Sequence, residues 1–221
     1  MKQESTAKQR IFDNAVRLFA HKGYDATGVR EIAGQARVNL AMINYFYGSK
    51  HKLLEAIIVE FFQGVQKIML ENVLGDDPPE VKLERNIKAI ARHVVQNPDQ
   101  ALVAVRQLPT DDPEATETRV EWFNLLRESM LKNVIEEMGR KWGHALPFHI
   151  LAPAIIAAVT SHFMFKPVLE KLKLWSFDDD FYQCYPEIIT QVALKGLFSL
   201  AENRPPERIG HESDRSNRGS E

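Results

Sequence analysis

Apolar residues recur three and four positions apart along almost the whole chain, and few stretches alternate with period two, so the pattern predicts an all-α fold. A first helix opens at Ser5 or Thr6, carries Ile11, Ala15, Leu18 and Phe19 on one face and stops at Gly23. Thr27 is the expected cap of a short second helix with Val29, Ile32, Ala33 and Ala36, and Asn39 of a third that ends at Gly48. Ser49 caps a long fourth helix, whose wide stripe from Leu53 to Met69 must be covered from both sides. Asp77 and Pro78 signal the start of a helix through Ile87, Ile90, Ala91 and Val94, closed by Asn97 and Pro98. A short helix then runs to the vicinity of Gln107.

Asp112 and Pro113 restart a long helix whose stripe includes Val120, Phe123, Leu126, Met130, Val134 and Met138, with Gly143 as its end. The apolar stretch from Phe148 to Leu172 is expected to form a helix with Pro153 near its start and a kink at Pro167. A last helix is placed from Pro186 to Glu202. Residues 204–221 have almost no apolar side chains and are expected to form a disordered tail.

With 221 residues, 44% of them hydrophobic, the chain can build a core for one large or two small domains, which excludes disorder throughout. Neither a membrane span nor a secretory leader is evident, and a cytoplasmic protein is expected. The single cysteine, Cys184, cannot form an internal disulfide or a thiolate cluster and reads as a small buried hydrophobe. Net charge is −2, but residues 1–52 hold nine cations against four anions, so a basic end sits on an acidic body. Either that end approaches a polyanion such as nucleic acid, or the asymmetry is ordinary surface variation.

Catalysis finds little support. His144, His149 and His162 with Asp178, Asp179 and Asp180 combine on paper into a metal or acid–base site, yet His144 and His149 are five apart and flank Pro147, so they share no helical face. The acidic run beside Phe177 reads as a solvated loop or a helix cap. No glycine-rich phosphate loop, nucleophile motif, metal site or cofactor signature is present in the sequence.

Three short helices in the first part of the chain, the second and third separated by a few residues, have the spacing of a helix-turn-helix, a scaffold used in DNA repressors and in protein-binding modules alike. The segment IFDNAVRLFAHKGYDATGVREIAGQARVNLAMINYFYGSKHKLLEAI resembles the N-terminal domain of TetR-family transcriptional regulators over residues 10–57. Leu18, Phe19, Gly23, Tyr24, Thr27, Val29, Arg30, Ile32, Ala33, Val38, Ile43, Tyr47, Ser49 and Lys50 carry the match. Ile32, Ala33, Val38, Ile43 and Tyr47 read as inward-facing core. The third helix then presents Leu40, Ala41, Asn44 and Tyr45 outward, with Asn39 at its start and Met42 near the rim.

The resemblance implies that Arg30 reaches a base edge, and that Lys50, with the amides at the start of the fourth helix, clamps a phosphate to which Tyr45 adds a hydrogen bond. The plainer alternatives are that Arg30 pairs with Glu31 or solvent and that Lys50 is a solvated charge. Two positions depart from the family pattern: Asn44 stands where many members have tyrosine, and Arg37 where glycine is usual. If that turn needs a positive φ, Arg37 is strained by roughly 1 kcal/mol.

The resemblance also implies a domain order: residues 1–52 as the helix-turn-helix, residues 53–203 as a helical-bundle effector-binding and dimerisation domain, and about nine helices in all. Ala154, Ala157, Ala158 and Ser161, with Ala193, Gly196, Leu197 and Leu200, suit a four-helix interface across a two-fold axis, or else face the protomer's own core. Trp122, Phe123, Met130, His162 and Phe163 are candidates for the wall of an effector pocket, with His93 as a second histidine that could meet a ligand or be satisfied in the core. The function so implied is a homodimeric, operator-binding transcriptional regulator, a repressor released from double-stranded DNA by a small hydrophobic ligand. The competing reading is a helical adaptor that uses the same scaffold to bind protein.

Overall fold

The structure, a computed structural model, describes residues 2–108, 119–120, 124, 127–128, 130, 134–142, 148–173 and 176–202. Among them it is all α: α1 Lys2–Lys22, α2 Val29–Ala36, α3 Leu40–Tyr47, α4 Lys50–Val73, α5 Pro79–Gln96, α6 Pro98–Arg106, α7 Glu136–Trp142, α8 Phe148–Leu172 and α9 Asp179–Glu202. The restart at Asp112, the stop at Gly143, residues Trp122, Phe123 and His144, and the tail 204–221 lie outside the described residues.

The first three helices close on one another as each gives a fully buried isoleucine to the shared core, Ile11, Ile32 and Ile43, and Leu53 of α4 joins them. Removing one such isoleucine side chain to alanine costs about 2–5 kcal/mol in a rigid core. Gly23 ends α1 with φ 91°, and Gly48 ends α3 with φ 79°, conformations that favour glycine. Thr27 is not the cap of α2. It is 1% exposed and its Oγ1 donates to Gly23 O at 2.7 Å, which ties the interhelix turn to the end of α1, while Gly28 occupies the N-cap without a side-chain bond. Asn39 and Ser49 do cap: Asn39 Oδ1 accepts from Ala41 N at 2.9 Å and Ser49 Oγ accepts from Lys52 N at 3.0 Å.

Arg37 takes the left-handed conformation, φ 53° and ψ 50°. Its N–H donates to Gly34 O at 3.2 Å and Val38 N–H to Ala33 O at 3.0 Å, so a Schellman turn closes α2 and sets the direction of α3.

The body is a bundle in which α5 packs on α4, α8 and α9, while α6 sits against both α1 and α4. Three boundaries differ from the sequence expectation, the first being that of α1, which begins at Lys2, ahead of Ser5 and Thr6. Helix α5 starts at Pro79 with Pro78 at its N-cap, and Asp77 instead accepts from Arg85 Nη1 at 2.8 Å. Helix α8, by contrast, has the expected bounds, Phe148–Leu172, with Pro153 near its start and Pro167 in its far part. Helix α9 begins at Asp179, before Pro186, because Asp178 caps it: Oδ1 accepts from Phe181 N at 3.0 Å and Oδ2 from Ser176 Oγ at 3.0 Å. Cys184 is exposed rather than buried, since it lies on the outward side of that extended α9. Residues Ile150–Leu172 of α8 are long and apolar enough, with mean hydropathy 1.4, to cross a bilayer by length and composition, contrary to the expectation of no such stretch. In the fold this helix packs against α5, α6 and α9.

Because only the arginine side chain strains the Arg37 turn, Arg37→Gly is expected to raise unfolding stability by about 0.5–1 kcal/mol, read from urea denaturation midpoints. A loss of stability would mean that the arginine side chain holds the turn by a contact outweighing its backbone strain.

Candidate nucleic-acid interface and ligand cavity

Helix α3 buries Ile43 and half-buries Met42, Phe46 and Tyr47, which fixes its opposite side outward. On that side Leu40, Ala41, Asn44 and Tyr45 are exposed, Tyr45 at 72%. The Tyr47 hydroxyl donates to Lys8 O at 3.2 Å, and burial, with Glu60 and Asp13 nearby, pushes its pKa up to about 12, so it stays a donor that ties the end of α3 to α1. Asn39 spends its acceptor oxygen on the α3 cap, which makes it a positioner of the helix.

Arg30 is exposed in the first turn of α2, and Glu31 is held instead by Lys22 at 2.7 Å, so the guanidinium has no carboxylate partner among the described residues. Lys50, half-buried at the first position of α4, lies over the Tyr24 ring at 4.1 Å, a cation–π contact that restrains its ammonium beside the helix start. Two residues that sequence reasoning missed stiffen this head: Arg10 Nε donates to Ala36 O at 3.0 Å, and Arg17 Nη2 bonds Gln35 Oε1 at 3.2 Å. Their exposed positions on α1 gave no periodic signal.

The head is joined to the body through α6. Arg106 Nη1 donates to Ala20 O at 2.7 Å near the end of α1, and His21 Nε2 lies 3.2 Å from Asp99 Oδ2. Residues Val105 and Leu108, at and beyond the end of α6, are also part of the wall of a cavity of about 140 Å³. Its wall includes Phe61, Phe62, Val65 and Met69 of α4, Leu83, Ile87 and Ile90 of α5, Met130, and Leu151, Ile155 and Val159 of α8.

Of the sequence candidates Met130 lines this cavity. His162 and Phe163 do not: they face α9, where His162 is ringed by Phe163, Phe177, Phe181, Tyr182 and Tyr185 with ring centres 4.8–5.7 Å away. The rotation of α8 decides this, turning Leu151, Ile155 and Val159 to the cavity and Phe163 to the aromatic cluster. His93 likewise stacks on the far side of the wall residue Phe61, ring centres 5.2 Å apart. Its ring fills the space beside Gly64, where a Cβ would come within 2.7 Å of it. His162, Asp178 and the other acidic residues of the run do not assemble, and no group of three metal-ligating side chains exists among the described residues.

The outward face of α8 is largely apolar, and that of α9 carries apolar residues among charged and polar ones. Ala154, Ala157 and Gly196 are exposed, Ala158, Ser161 and Ala193 are half-buried, and the side chains of Leu197 and Leu200 lie outside the described residues. Sequence reasoning stopped at the small residues and missed the larger ones in line with them: Ile150, Met164, Val168 and Leu172 continue the three-and-four spacing of Ala154, Ala157 and Ser161, with Phe165 adjoining. Ile188 and Val192 do the same on α9.

With the geometry in place, the family model described as bacterial regulatory proteins, tetR family, matches residues 11–57. The chain is 42% identical over 64 residues to the HTH-type transcriptional regulator YttP of Bacillus subtilis (strain 168), 29% of this chain and 31% of that protein. It is 34% identical over 65 residues, 35% of the partner sequence, to the biofilm operon icaADBC HTH-type negative transcriptional regulator IcaR of Staphylococcus aureus. The match thus spans about a third of the curated relatives' length. Among solved structures, a tetR-family bacterial regulatory protein from Rhodococcus RHA1 superposes with TM-score 0.68 at 21% identity, over 86% of this chain and 95% of that one. The FadR transcriptional regulator of Bacillus subtilis, solved with stearoyl-CoA, does so with TM-score 0.61 at 18% identity, over 85% and 98%. Residues 11–57 are thus similar to the N-terminal domain of tetR-family regulatory proteins, and the helical body shares the fold of those solved structures.

Burial holds His93 below the usual histidine pKa; burial and then Lys166 do the same for His162, against a smaller opposing pull from Glu170. Both are therefore neutral when folded and gain protons more readily when unfolded, so their contribution to stability is complete above about pH 6.5 and declines as pH falls below it. The melting temperature is expected to drop between pH 7.5 and pH 5.5, and His162→Phe to shrink that drop. An unchanged drop in His162→Phe would show that this histidine does not supply it.

Proposed function

We propose that the protein is a homodimeric DNA-binding transcriptional regulator, a repressor that leaves its double-stranded operator when a small apolar molecule occupies the cavity between α4, α5 and α8. The observation that carries this reading is the outward face of α3, held by buried Ile43 and presenting Leu40, Ala41, Asn44 and Tyr45, together with an exposed Arg30 on α2 that has no carboxylate partner among the described residues. A helix of 8 residues so anchored fits a major groove, with Arg30 placed for a base edge and Lys50 with the α4 N-terminus for a phosphate. The sign of regulation follows IcaR, whose name describes a negative regulator, and the ligand role follows FadR, which was solved with an acyl-CoA. A cytoplasmic location accords with DNA as the partner.

Two copies are needed to place two recognition helices about one helical turn apart, and the apolar strip of α8 and α9 supplies the surface to join them. Ligand release requires that the cavity be better filled in the state that does not fit DNA. Helices α4 and α6 both touch the cavity and the head, so either can carry that difference.

The test is a salt series of fluorescence-anisotropy titrations on duplexes chosen by random-sequence selection. Arg30→Ala is expected to weaken the selected duplex about 5- to 100-fold and to relax specificity, and Lys50→Ala to weaken all duplexes with a shallower salt slope. Failure of selection to enrich any sequence would favour the protein-binding adaptor. In sedimentation, the wild type is expected as a dimer and the double variant Phe165→Glu, Val168→Glu as a folded monomer; a dimeric variant would move the interface elsewhere.

A further inference from the structure

The polar atoms in the cavity wall restrict what can occupy it. Asn86 of α5 is 1% exposed, its Nδ2 donates to Lys82 O at 3.0 Å, and its Oδ1 has no partner. Turning the amide over would set two oxygens against each other, so the unsatisfied atom is an acceptor. Thr160 of α8 is 6% exposed and spends its hydroxyl hydrogen on Ile156 O at 2.7 Å, which leaves its oxygen as a second acceptor. Arg127, a cation of the wall, is exposed, and apart from it, Asn86 and Thr160 the described wall residues are apolar.

A buried acceptor without a donor is unfavourable in the empty protein and gains most from a ligand that brings one. A carboxylate set against Asn86 would add a desolvated charge to an acceptor and is disfavoured. Size is limited too, because an apolar cavity of about 150 Å³ takes one benzene ring, and this one measures about 140 Å³. We propose that the effector is a neutral molecule whose apolar part is the size of one aromatic ring or a short chain and which carries a hydroxyl or N–H donor, with Asn86 as the residue that selects it. This deepens the reading of the cavity as the effector site and rests on it.

The experiment compares phenol, benzene and benzoate, three ring-sized probes that differ in the polar group, by calorimetric titration of the full chain without DNA. Phenol is expected to bind about tenfold or more tighter than benzene, and benzoate weakest. Asn86→Leu, which replaces the acceptor with a methyl group of similar size, is expected to abolish or invert the preference for phenol. Equal binding of phenol and benzene, absence of binding by all three, or an unchanged preference in Asn86→Leu overturns the proposal. Benzoate binding tighter than phenol overturns it as well and moves the polar contact to Arg127. The wild-type comparison decides the matter even if Asn86→Leu does not fold. Because no DNA is present, failure to bind an operator would count against the regulator and leave this result standing.

Discussion

Helix α4 is one unbroken rod of 24 residues, about 36 Å long, and the rest of the molecule is arranged along it. Its first turn is fixed by Ser49 and carries Lys50 beside Tyr24; its next turns put Leu53 and Ile57 into the buried core shared with the head; its second half gives Phe61, Phe62, Val65 and Met69 to the cavity. An α-helix resists bending within a few turns, because each turn is held by several backbone hydrogen bonds. Phe61 and Phe62 stand about three turns from Lys50 on the same rod, which is the geometric requirement for the proposed action of the cavity on the head.

Helix α6 gives a second, shorter connection. Arg106 holds a carbonyl near the end of α1, and Val105 in the preceding position lines the cavity, which puts the wall and the hydrogen bond at Ala20 on adjacent residues. The two connections act on different parts of the head, α4 on the start of its own helix and α6 on α1. The core of the head, closed by Ile11, Ile32 and Ile43, packs α3 with α1 and α2 as one close-packed unit.

Exposed apolar surface appears in two places with different character. On α3 it is small and mixed with Asn44, as suits a surface that meets base edges and methyl groups. On α8 and α9 it is a long strip of Ile150, Met164, Phe165, Val168, Leu172, Ile188 and Val192. Exposed apolar side chains in that number are unusual on an isolated protein, and the proposed dimer would remove them from water. The same apolar run makes α8 resemble a membrane helix by composition.

Much of the head was legible in the sequence, because caps, glycine stops and three-and-four spacing are local: Asn39, Ser49, Gly23 and Gly48 act within a few residues of where they stand. The outward face of α3 followed once Ile43 was placed inward. Thr27 was misread because a buried threonine that bonds back to Gly23 has the same local spelling as an N-cap, and Cys184 because its exposure depends on how α9 is turned. The body was legible only as helices. Periodicity says which side chains leave water, but not whether they meet a neighbouring helix, an empty space or another chain. Phe61 in the cavity wall, Phe163 in the aromatic cluster and Phe165 on the surface look alike in sequence. Their separate roles are set by how α4, α5 and α8 are rotated about their axes. That rotation is fixed by the packing of side chains far apart in the chain, so only the tertiary structure decides it.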